Sequence, residues 1–74
     1  MEPNLAVGKT VKIIKLPEYL KTADSMPMLR PATALVVGEK GIVVDRRPGG
    51  YWSVLFPNRG AFLLDSQYLQ VVTE

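Results

Sequence analysis

Seventy-four residues allow one domain, and a chain this short buries only about 60% of the surface its unfolded form exposes. It has no cysteine and no histidine, which excludes disulfides, thiolate nucleophiles and the usual zinc ligand sets. Nine lysines and arginines against seven acids give a net charge of +2, and the cations (Lys9, Lys12, Lys15, Lys21, Arg30, Lys40, Arg46, Arg47, Arg59) are scattered, without the dense stripe of a dedicated nucleic-acid binder.

Met1-Glu2-Pro3-Asn4 has neither the basic start nor the apolar run of a secretory signal, and residues 1–6 read as a flexible N-terminal tail. No apolar run approaches the roughly 20 residues that cross a bilayer, so the chain is expected to be cytoplasmic, without membrane insertion. The first strand is predicted over Thr10–Leu16, with Val11 and Ile13 on one face and Lys12 on the other. A long irregular segment follows, Tyr19 to Pro31, with no strand or helix period of its own. Pro17, Pro27 and Pro31 bracket it, and their fixed φ and missing donors bar a helix or a central strand. A loop this long in a small domain is commonly functional, and a partner is expected to bind here.

Leu35-Val36-Val37 resumes strand character and breaks at Gly38-Glu39-Lys40-Gly41. Gly41–Arg47 is β-branched and ends in the reversal Pro48-Gly49-Gly50. Tyr51–Phe56 alternates, with Trp52, Val54 and Phe56 on one face and Tyr51, Ser53 and Leu55 on the other. Pro57-Asn58-Arg59-Gly60 turns into a strand over Ala61–Asp65; Asp65-Ser66-Gln67-Tyr68 suits a single helical turn, and Leu69–Val72 closes the chain. Short strands, tight hairpins and one long loop after the first strand predict an all-β, SH3-like five-stranded barrel spanning residues 1–74, with an OB-fold as runner-up. Its predicted core is Val11, Ile13, Val43, Trp52, Val54, Phe56 and Leu69.

The candidate functional residues each have a plain structural reading beside the functional one. Gly49-Gly50 serves turn geometry, since no helix follows to hold a phosphate. Arg46-Arg47 is either a solvated strand end or a patch for acidic partner side chains. Met26, Met28 and Leu29 either fold over the barrel mouth or form an adaptable apolar contact surface. Asp24, Asp45 and Asp65 each sit at a turn, too dispersed for a catalytic pair, so no enzyme, metal site or cofactor is expected.

Several segments carry a family resemblance: Tyr19–Asp24, Met26–Pro31, Gly38–Gly41, Asp45–Trp52 and Phe62–Leu69. Together they resemble the SipA family of small cyanobacterial regulators over about Val7 to Leu69, with Ser25 in place of a proline common in that stretch. The resemblance implies an SH3-like barrel that binds the sensor histidine kinase NblS and modulates its autophosphorylation in light and nutrient stress signalling. On this reading the chain is a monomeric, non-enzymatic adaptor, and its expected contacts are Tyr19, Lys21, Met28, Arg30, Arg46, Arg47 and Tyr51, gathered into one patch. Two alternatives stay open. One is a nucleic-acid-binding barrel of the ribosomal or transcription type, disfavoured by the mild charge. The other is a small docking subunit of a photosynthetic electron-transfer complex that meets an acidic partner.

Overall fold

A computed structural model of the chain describes residues 5–23, 28–57 and 59–72. Among these residues seven antiparallel strands form one sheet: β1 (Thr10–Ile13), β2 (Tyr19–Thr22), β3 (Leu29–Pro31), β4 (Lys40–Arg47), β5 (Tyr51–Phe56), β6 (Gly60–Asp65) and β7 (Leu69–Val71). Their order is β3-β2-β6-β5-β4-β1-β7, and the sheet curls into a small barrel-like body. The all-β expectation holds. Two of the seven strands, β2 and β3, lie inside the segment predicted to be an irregular loop.

Tyr19-Leu20-Lys21-Thr22 is a strand because it does alternate, with Leu20 fully buried and Tyr19 and Lys21 exposed. β3 tolerates Pro31 because it is an edge strand, whose outward side has no neighbour to receive a donor. The two are tied where they approach: Thr22 N–H donates to Met28 O at 2.9 Å, and Met28 N–H donates to Thr22 Oγ1 at 2.9 Å. The opposite correction falls on Leu35-Val36-Val37, which is no strand. A 3-10 turn (Ala32–Ala34) precedes it, Leu35 drops into the core, and Val36 and Val37 are exposed. The Val36 N–H is taken by the Glu39 side chain at 3.1 Å, so β-branched propensity finds no strand to pair with.

The inner face of the curl holds Val11, Ile13, Leu20, Val43, Val54, Phe56, Phe62, Leu64 and Leu69, with Leu35 closing one end. Each fully buried aliphatic or aromatic side chain contributes about 1.5–3 kcal/mol relative to exposure. The Phe56 and Phe62 rings meet at 6.3 Å and 58°. Leu5, expected in the flexible tail, packs against this core. Six of the seven predicted core residues are buried; Trp52 is half-buried, because its inner-face neighbour across the ladder is Arg46, which sits over its ring at 5.6 Å.

Gly41 shows how tightly the strands approach. A Cβ there would lie 2.8 Å from Leu55 O, Phe56 Cδ1 and Val54 Cγ1. At the β4–β5 tip, Gly49 and Gly50 both have positive φ (81° and 83°), as the sequence implies for a tight reversal. Asp65 caps the last 3-10 turn (Ser66–Tyr68), its Oδ1 accepting from Gln67 N–H at 3.3 Å.

Candidate partner-binding groove

The outer face of the sheet is organised in rows set by the register. One row runs Asp45, Ser53, Leu63, Lys21, Leu29 across β4, β5, β6, β2 and β3. The next holds Arg47, Tyr51 and Asp65, with Tyr19 and Pro31 paired on the far strands. Where these rows meet the β4–β5 tip and the last 3-10 turn, a groove of about 530 Å³ opens. Its lining includes Pro17, Tyr19, Lys21, Leu29, Arg47, Pro48, Tyr51 and Tyr68.

A bulge decides which arginine reaches it. Val43 pairs with Val54, but Asp45 pairs with Ser53, so one residue is extra near Val44. Past that point the alternation is rephased: Arg46 turns to the inner face opposite Trp52, and Arg47 to the outer face opposite Tyr51. Of the seven expected contacts, the groove gathers Tyr19, Lys21, Arg47 and Tyr51. Arg46 is not among them; it lines a separate depression with Trp52, Ile14 and Gln70. The single patch expected for Arg46-Arg47 is therefore split, since neighbouring residues on a strand face opposite ways. Arg30 is opposite Leu20, on the other face from Leu29, and Met28 precedes the strand; neither lines the groove. Met28 and Leu29 are 58% and 68% exposed, so they do not extend the core, and Met26 lies outside the described residues. Tyr68, Pro17 and Pro48 were missed from sequence. The signal available for Tyr68 was that it is the third of only three tyrosines.

The groove's electrostatics are cationic. Arg47 Nη1 is 3.7 Å from Asp45 Oδ2, a long and exposed pair that contributes little. Among the described residues Lys21 has no acid within ion-pair distance. Lys15 Nζ sits 5.6 Å over the Tyr68 ring. Asp65 also lines the groove, with Oδ1 engaged by Gln67 N–H and Ser66 Oγ. Tyr68 is fixed from behind, its carbonyl accepting from Ile14 N–H at 2.9 Å. Among the described residues no group of acids could hold a metal ion, and no helix is long and apolar enough to cross a membrane.

The model of the family described as Protein CHLORORESPIRATORY REDUCTION 42-like matches residues 7–69. The chain belongs to the CRR42-like family. Protein CHLORORESPIRATORY REDUCTION 42, chloroplastic, from Arabidopsis thaliana is 39% identical over 69 residues, covering 92% of this chain and 56% of that protein. The chain thus spans about half the length of the curated relative it matches. No solved structure matches it. These findings overturn the SipA assignment, and with it the NblS-type histidine kinase partner, the two-component signalling role and the place in stress signalling. The segments behind that resemblance span the region this family model matches, and the match goes to the CRR42-like family. The cytoplasmic expectation is withdrawn as well, because the relative is named as a chloroplast protein.

Proposed function

We propose that this member of the CRR42-like family is a non-catalytic docking subunit for a photosynthetic electron-transfer complex, and that the Tyr19–Tyr51 groove is its docking surface. The observation that carries the reading is the groove itself: exposed tyrosines, with Tyr19 and Tyr51 62% and 46% accessible as whole residues, beside the cations Lys21 and Arg47. Tyrosine and arginine supply most of the energy in protein interfaces, and cations at the rim steer an acidic partner into place. The relative's name, which joins chlororespiratory reduction to the chloroplast, supports an electron-transfer setting. The chain has no histidine or cysteine, and Asp65 is the one acid in the groove's lining, which supports binding over catalysis.

The test is complementation. A strain lacking the protein should regain chlororespiratory electron flow with the wild-type chain and fail to regain it with a Tyr51→Ala/Lys21→Glu chain of equal abundance. Full recovery with that double variant would remove the groove from the function.

A further inference from the structure

All three tyrosines of the chain line the groove, together with Pro17 and Pro48. None of the three hydroxyls makes a hydrogen bond among the described residues. A surface of flat rings and prolines with spare donors suits a particular backbone. In a polyproline II segment the carbonyls have no internal partners and stand ready to accept, and the proline rings stack on aromatics. A helix would bring carbonyls already satisfied within its own turns, leaving the tyrosine hydroxyls without acceptors. An added strand needs unpaired backbone at a sheet edge, whereas apart from Leu29 on the edge strand β3 the strand residues lining the groove come from β2, β4, β5 and β6, each paired on both sides. The charge of the lining then selects the sequence: Lys21 and Arg47 outnumber the one acid there, Asp65, whose Oδ1 is already engaged in the cap.

We propose that the groove takes a proline-rich extended segment carrying an acidic side chain, contributed by the protein on which this chain docks. The proposal rests on the docking reading and names the chemistry of its partner. The tyrosine hydroxyls donate to the segment's carbonyls, the rings pack on its prolines, and Arg47 or Lys21 meets the carboxylate.

The probe is a short synthetic peptide of prolines interrupted by two aspartates, titrated into the full chain and followed by nuclear magnetic resonance. It should bind saturably and move the ring signals of Tyr19, Tyr51 and Tyr68 while leaving Trp52 in place. A peptide with glycine for each proline, at equal charge, should bind about tenfold more weakly, as should Tyr51→Ala. Tyr51→Phe should lose part of the affinity while keeping the packing, and lysine in place of aspartate should weaken binding in a salt-sensitive way. Equal binding of the glycine peptide, signal changes centred on another face, or no binding would overturn the proposal. If the peptide fails while complementation still depends on Tyr51 and Lys21, docking stands and the proline chemistry falls. If both fail, both fall.

Discussion

The two ends of β5 use arginine in opposite ways. At the β5–β6 end, Arg59 donates from Nε to Glu39 Oε2 at 3.0 Å and from Nη1 to Ala34 O at 3.2 Å, while Glu39 Oε1 accepts from Val36 N–H. One ion pair there fastens a hairpin to the segment that carries buried Leu35. At the β4–β5 end, Arg47 has only a 3.7 Å approach to Asp45, and Lys21 has no acid in reach among the described residues. The first end directs its polar capacity inward, and the second leaves it facing solvent beside exposed tyrosines. Unspent hydrogen-bonding and charge on a rigid sheet support the proposed docking role of this end. The comparison separates a stability pole from a docking pole within a radius of gyration of 11.2 Å.

The widest separation is predicted for the core beneath both poles. Phe56→Ala should cost about 3–5 kcal/mol, a large share of the stability of a domain this small. Chemical denaturation should find that variant largely unfolded at room temperature. Gly41→Ala should cost about 1–3 kcal/mol, because the new methyl meets Leu55 O, a backbone atom that cannot step aside. Val54→Ala falls in the same range, by lost burial and a small cavity. A wild-type midpoint for either would show that the inner face packs more loosely than the close approach at Gly41 implies.

At the stability pole, Arg59→Ala should cost about 1 kcal/mol, modest because the pair is part-exposed. At the docking pole, Lys21→Glu with Arg47→Glu should change stability by less than about 0.5 kcal/mol and yet reduce recovery of the chain with electron-transfer complexes from solubilised photosynthetic membranes. Rising salt should weaken that recovery for the wild type and do less for the variant. A double variant destabilised as much as Arg59→Ala would erase the distinction between the two ends.

Much of this was legible in residue pattern. Trp52, Val54 and Phe56 alternate without interruption, so β5 and its inward face follow from side-chain period alone, and the glycine pair fixes the β4–β5 tip. The Tyr19–Thr22 strand was hidden because its period spans only four residues and prolines flank it; pairing with β6 and β3 supplies what the local pattern lacks. Leu35-Val36-Val37 erred the other way, where propensity without a neighbouring strand yields a turn. The bulge near Val44 was least visible. Val-Val-Asp-Arg-Arg reads as the end of one β-branched strand, and only the ladder reveals the extra residue that sends Arg47 outward and Arg46 inward. Half of the groove was therefore readable as composition, while its membership depended on register.

The most direct test of the docking pole is site-specific photo-crosslinking in photosynthetic membranes, with a benzophenone side chain placed at Tyr51 in one chain and at Arg59 in another. A discrete crosslink is expected from position 51 to a subunit of an electron-transfer complex, and none from position 59. Crosslinks from position 59 to such a subunit, with none from position 51, would contradict it.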